Sequence, residues 1–201
     1  MGKMAIDVIL LPPEDIMDKA IKINRACKDD SIRLNKKDCL PHISLCMGVA
    51  RHADLSKIKK IIDVIGQETP ALKVCIVRIN RKNGCFDITK TRSLQVLHEG
   101  IMRKLSPFLS YDAKITMLAS PPVVSKKSLY WINHFRTHAS FKRFYPHLTL
   151  AVKSIPEKIG RVDFTVVRLA VCHLGNFCTC HTVLHECRFS RTRFFTNGKV
   201  Y

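Results

Sequence analysis

The pentad Pro41-His42-Ile43-Ser44-Leu45 returns as Pro146-His147-Leu148-Thr149-Leu150, and this repeat restricts the fold more than any other pattern in the chain. Successive side chains of a strand point to opposite faces, so each copy sets His and hydroxyl side by side and turns its two aliphatic residues to the other face. A third match, His138-Ala139-Ser140-Phe141, has no leading proline, carries Ala and runs into Lys142-Arg143, so it reads as accidental.

Hydrophobic periodicity supplies the framework around the pentads. Residues 6–11 form an apolar run closed by Pro12-Pro13, a buried strand, and Ile16, Ala20, Ile21 and Cys27 place a helix over 14–27. The next strand covers 40–47 and stops at Gly48. Asp54 then caps a helix with the stripe Leu55, Ile58, Ile61, Ile62 and Ile65, and Gly66 sits where its C-terminal cap belongs. Residues 71–79 and 85–89 make a hairpin around the turn 81–84. A third helix carries Leu94, Leu97, Ile101, Leu105 and Phe108 behind Thr91 or Ser93 as cap.

Pro121-Pro122 breaks the pattern farther on, and residues 110–143 read as mostly irregular with a short helix near 126–134. Strands resume at 146–151, 162–172 and 178–189, the last two as a hairpin around Gly175-Asn176. Strands and helices alternate without the regular order of a doubly wound sheet. The expected fold class is therefore α+β with antiparallel sheets, in one domain over 1–201, with 110–140 as an insertion or irregular segment.

Composition bounds the function classes. The chain has 201 residues with 34 Lys+Arg against 16 Asp+Glu, a formal charge of +18, so it attracts polyanions: RNA, nucleotides or an anionic surface. A hydrophobic fraction of 46% excludes a disordered basic tail, and apolar runs no longer than a strand exclude a membrane span. The apolar stretch from Met4 to Leu11 is followed by Pro12-Pro13 and acids rather than a small-residue cleavage site, which argues against a signal peptide. Nine cysteines, mostly without paired spacing, fit reduced thiols and a cytoplasmic location.

Cleaving a phosphodiester without a metal asks for what the pentads offer. One imidazole removes a proton from the attacking oxygen, a second protonates the leaving oxygen, and hydroxyl donors stabilise the charge that builds on phosphorus. Imidazole titrates near neutrality, so a neutral base and a protonated acid can coexist.

The two His-x-Ser/Thr-x elements, the leading strand ending in Pro-Pro, the aromatic-Pro pair Tyr145-Pro146 and the closing strand–Gly–strand unit resemble the 2H phosphoesterase superfamily. The resemblance covers nearly the whole chain and is nearest the LigT-like branch, named for 2′-5′ RNA ligase and also called RNA 2′,3′-cyclic phosphodiesterase. It implies a bilobal α+β fold in which two antiparallel sheets are related by pseudo-twofold symmetry, with helices outside and a cleft lined by both motifs. Carried over residue by residue, His42 and His147 become the acid–base pair and Ser44 and Thr149 the phosphate-oxygen donors, with no metal and no cofactor. The implied activity is hydrolysis of 2′,3′-cyclic phosphate ends to the 2′-phosphate, with 2′-5′ RNA ligation as a related activity. The implied partner is RNA or a nucleotide with a cyclic or 2′-5′ phosphodiester, acted on by a monomer.

The linker between the motifs is longer than in compact members of that superfamily, with the surplus in 110–140. Branches that cleave 2′-5′ oligonucleotides or trim RNA 3′ ends share both motifs and stay open. A reading from another class is a non-catalytic RNA-binding module whose pentads only hold phosphate, although paired imidazoles suit pure affinity poorly when Lys and Arg are available. Cys172, His173, Cys178, Cys180, His181, His185 and Cys187 invite a zinc reading, but no Cys-x-x-Cys pair occurs, and buried thiols and edge histidines are expected instead. Arg51, Lys126, Lys127, Arg136, Lys142, Arg143 and Lys153 flank the pentads as an electrostatic funnel, and Tyr130, Trp131, Phe141, Phe144 and Tyr145 are candidates to stack a base or to fill the core.

Overall fold

In chain order the elements are β1 (Lys3–Leu11), α1 (Glu14–Ala26), β2 (Ile43–Arg51), α2 (Leu55–Glu68), β3 (Leu72–Asn80), β4 (Cys85–Ile88), α3 (Arg92–Leu105), β5 (Leu109–Ser110), α4 (Lys126–His138), β6 (His147–Thr149), β7 (Val162–Val166), β8 (Arg168–Leu174) and β9 (Cys180–Arg188). They are seen in a computed structural model that describes residues 2–27, 32–119, 124–151 and 159–190. The strands make two sheets, ordered β5-β2-β1-β8-β9 and β6-β4-β3-β7, and every pairing is antiparallel. One pentad lies in each sheet, as the resemblance implies. Among the described residues no helix is long and apolar enough to cross a membrane.

The central strand shows why the sheets need covering on both sides. Met4, Ile6, Val8 and Leu10 of β1 enter the main core with Ile58 and Ile62 of α2 and Leu94 and Ile101 of α3. Ala5, Ile9 and Leu11 enter two smaller clusters on the opposite face, and Asp7 is buried between them. Each large apolar side chain so buried contributes roughly 1.5–3 kcal/mol against the entropy of ordering the chain. The Thr91 hydroxyl caps α3 by accepting from the Leu94 amide at 3.2 Å, as its position predicts.

Several expectations are corrected. Gly48 does not end its strand, because β2 continues to Arg51; a Cβ at this position would lie 3.3 Å from that of Leu109, so the glycine admits the neighbouring edge strand β5. Gly66 is not a cap either. It lies inside α2, where a Cβ would fall 2.5 Å from Cys187 Sγ, and it lets β9 approach the helix. Asp54 makes no side-chain cap and instead accepts from Arg51 Nε at 2.6 Å.

The expected single strand over 162–172 is two strands in different sheets. β7 pairs with β3 and β8 with β1, and the chain crosses at Val167 with no glycine or proline to mark it. The helix expected near 126–134 runs to His138, capped by Ser125 Oγ, which accepts from the Lys127 amide. Its apolar stripe is short, Leu129, Ile132 and Phe135, with Tyr130 and Trp131 exposed, which blurred the period. Pro121-Pro122 and Lys153 lie outside the described residues.

None of the nine cysteines is in a disulfide. Cys172 and Cys180 are fully buried, His173 bonds the Met117 carbonyl, His185 meets Asp63 at 2.6 Å, and Cys187 Sγ packs on α2 beside the Ile62 carbonyl. Among the described residues no three His, Cys, Asp or Glu side chains converge as a metal site.

Candidate active site

Both pentad histidines are fixed by the same local bond. His42 Nδ1 donates to the Leu40 carbonyl at 2.7 Å, and His147 Nδ1 donates to the Tyr145 carbonyl at 2.9 Å, in each case across the motif proline to the residue before it. A carbonyl only accepts, so the proton of each neutral ring sits on Nδ1 and each Nε2 keeps a lone pair.

β2 and β6 bring the two motifs to one cleft of about 670 Å³. Ser44, His147 and Thr149 line it, together with Met47, Asn83, Cys85, Lys127, Trp131 and Arg143 among others. His42 is not among the residues that line the cleft; its side chain is 11% exposed, its Nε2 faces Asp7 Oδ2 at 4.0 Å, and the charge of His147 opposes its own. Leu45 is an extra residue on β2, since Val8 pairs with Cys46 but Ile9 with Ser44. This bulge brings Met47, rather than Cys46, onto the cleft wall beside Ser44.

Each histidine has a carboxyl neighbour, and the two carboxyls differ. Asp7 is fully buried on β1; burial pushes it up to about 7, against the Ser44 hydroxyl and the Cys46 amide. Asp87 lies directly opposite His147 across the β4–β6 pair. Burial would raise it, but hydrogen bonds from Tyr145 Oη, Arg78 Nε and Asn80 Nδ2 outweigh that and hold it below the usual carboxylate range. Burial likewise pushes His42 down to about 4, with only the Leu40 carbonyl opposing. His147 is lowered by burial too, but the Tyr145 carbonyl and the Asp87 carboxylate both favour its charged form.

Two buried polar side chains brace the motif strands. Asn24 of α1 donates to the carbonyl of Leu150, the last residue of the second pentad, at 2.9 Å. His98 of α3 bonds the Leu45 carbonyl through Nδ1 at 2.7 Å, accepts the Phe141 amide at Nε2 and stacks on Phe144 with centroids 4.0 Å apart. One imidazole thus ties the first motif to the segment leading into the second.

Of the cations singled out in the sequence, Lys127 and Arg143 line the cleft; Arg51 pairs with Asp54, and Arg136 lines a separate small cavity. Trp131, Phe144 and Tyr145 line the cleft, whereas Tyr130 and Phe141 do not. His138 reaches the wall from the last turn of α4, and Ser140 turns away to the Arg136 carbonyl, so the third tetrad is no strand motif. Asp7, Asp87 and Phe177 carried no mark in the periodicity.

Comparison with known proteins bears on the fold. No protein-family profile and no curated protein sequence matches the chain. Solved structures do. Escherichia coli LigT complexed with NADP+ aligns with a TM-score of 0.57 at 12% identity, over 94% of this chain and all of that one. TT0787 of Thermus thermophilus aligns with a TM-score of 0.58 at 13% identity over the same shares, and LigT complexed with 3′-AMP with 0.55 at 12%. The chain has the LigT-like 2H phosphoesterase fold, and at these identities the likeness is one of fold.

Proposed function

We propose that this protein is a metal-independent phosphodiesterase that opens 2′,3′-cyclic phosphate ends of RNA to the 2′-phosphate. The observation that carries the reading is the matched tautomer of the two histidines: each is held by Nδ1, which leaves Nε2 as the acceptor, and Ser44, His147 and Thr149 line one cleft. The LigT structures with 3′-AMP, ATP and NADP+ support a nucleotide substrate for this fold, and the +18 charge supports a polyanion.

The different surroundings of the two histidines support a division of roles. His42, pushed down to about 4, is neutral at working pH and takes a proton from water through Nε2. The water oxygen bonds to phosphorus as the bond to the 3′ oxygen breaks. His147, whose charged form Asp87 favours, delivers its Nε2 proton to that leaving oxygen. Ser44 and Thr149 donate to the non-bridging oxygens, which carry the growing charge.

The test is a panel of 2′,3′-cyclic nucleotides, 2′-5′ and 3′-5′ linked oligonucleotides and ADP-ribose 1″,2″-cyclic phosphate, with and without EDTA. Turnover of cyclic ends that resists EDTA is expected. Activity lost to EDTA and restored by zinc would overturn the metal-free mechanism, and turnover confined to another substrate would overturn the cyclic-phosphate assignment.

A further inference from the structure

The cleft is larger than its chemistry needs. At about 670 Å³ it has the size of a site for a whole small molecule, and Ser44, His147 and Thr149 supply only part of its lining. Trp131 of α4 and Phe177 of the turn between β8 and β9 line the same cleft. Trp131 is 47% exposed and Phe177 39%, and neither belongs to any apolar cluster of the described residues.

Phe177 is held in place rather than left over. Its backbone is in the left-handed region, φ 56° and ψ 26°, a conformation that bulky residues rarely adopt. Its amide donates to Ser128 Oγ at 2.7 Å and to Asn176 Oδ1 at 2.9 Å. Ser128 Oγ in turn donates to Asn176 Oδ1 at 2.9 Å, and the same oxygen accepts the Ser125 amide at 2.9 Å. The turn is thereby stitched to the first turn of α4, so the two aromatic walls form one unit. Lys127, one helical turn before Trp131, and Arg143 line the same cleft. Aromatic rings flanked by cations suit a flat heterocycle attached to phosphate better than they suit an aliphatic ligand.

We propose that Trp131 and Phe177 form a stacking subsite for the base of the nucleotide whose phosphate lies at the two histidines. The subsite rests on the phosphodiesterase reading only for the position of that phosphate. Stacking reads the π-face that all bases share, so the subsite accepts purines and pyrimidines alike and rejects a bare phosphate or a ribose phosphate.

Trp131 is the only tryptophan of the chain, which gives the test an optical probe independent of turnover. Adenosine 3′-monophosphate and uridine 3′-monophosphate are titrated while Trp131 fluorescence is followed, with ribose 5-phosphate and inorganic phosphate as arms without a base. Both nucleotides should change the emission, and the two base-free anions should not. By calorimetry, Phe177→Ala and Trp131→Ala should each weaken nucleotide binding about tenfold and leave phosphate binding unchanged. Equal emission changes with and without a base, or nucleotide binding unaltered in both variants, would overturn the subsite. Base-dependent quenching without turnover of any phosphodiester would instead defeat the catalytic reading and leave the subsite standing.

Discussion

Oδ2 of Asp7 faces Nε2 of His42 at 4.0 Å, fully buried and with no hydrogen-bond partner of its own. Burial pushes the carboxyl from 3.8 up to about 7 and the imidazole from 6.5 down to about 4. At pH 5 the unfolded chain therefore has a charged aspartate and a protonated histidine, whereas the folded pair is neutral and still holds one proton. The other titratable groups facing Asp7 are the thiols of Cys46, Cys172 and Cys178, all pushed upward by burial and neutral throughout this range.

Equal proton counts mean that the pair adds little to the pH slope of stability between about 4 and 6.5. Removing one partner exposes the other. In Asp7→Asn the lowered His42 remains, so the stability it contributes is present above 6.5 and lost as pH falls through about 4. In His42→Gln the raised Asp7 remains, so its contribution is present below 3.8 and lost as pH rises through about 7. Urea unfolding from pH 4 to 8 should give slopes of opposite sign for the two variants relative to the parent protein. Parallel curves for all three proteins would contradict the proton exchange.

His42→Ala and His147→Ala should each lower turnover by about 10² to 10⁴, and the double variant should lose little more, because both groups act in one proton-transfer event. Ser44→Ala and Thr149→Ala should cost about 10 to 10³, each removing one donor of several. Steady-state kinetics on a 2′,3′-cyclic nucleotide decides it. Losses that multiply in the double variant would mean that the two rings work in separate steps.

Asp87→Asn should move the descending limb of the pH–rate profile to lower pH, since the carboxylate opposite His147 favours the charged acid. Tyr145→Phe keeps the carboxylate and the ring, which stacks on His147 with centroids 5.3 Å apart, and should leave the limb in place. A limb unmoved by Asp87→Asn would assign that aspartate to structure alone.

Gly66→Ala should cost about 1–3 kcal/mol, because the new methyl meets Cys187 Sγ at 2.5 Å within a packed helix–sheet contact. In the Cys187→Ala background the same change should cost far less, since the next atoms, the Arg188 carbonyl oxygen and Cys187 Cβ, lie at 3.4 and 3.5 Å. Additive losses in that double-mutant cycle would place the strain elsewhere.

The pentads and the helix stripes were legible because their periods are local and nothing tertiary competes with them. Asp7 was hidden inside the run that reads as one apolar strand; its signal was present, a charge at an interior position of β1, where burial without a partner is costly. Gly48 and Gly66 read as punctuation because glycine ends elements more often than it admits a neighbouring strand, and only the positions of Leu109 and Cys187 separate the two uses. The crossing at Val167 leaves no local trace, since no glycine or proline marks it and only the strands beside β7 and β8 tell the sheets apart. Phe177 stood beside the expected hairpin turn, and its left-handed backbone depends on Ser128, far away in sequence.

The interleaving at Val167 also bears on how the chain is made. β1 is the middle strand of its sheet, yet only its β2 edge can pair early; its other edge waits for Arg168–Leu174. A ribosome delivers residues in order, so for most of synthesis the nascent chain holds a long apolar strand with one open ladder of amides and carbonyls, the kind of surface that recruits foreign strands. Asp7, in the middle of that edge, is charged while the strand is still open to water, and burial in the finished protein raises its carboxyl to about 7. The same residue that faces His42 in the finished protein thus keeps the unfinished sheet from being uniformly apolar.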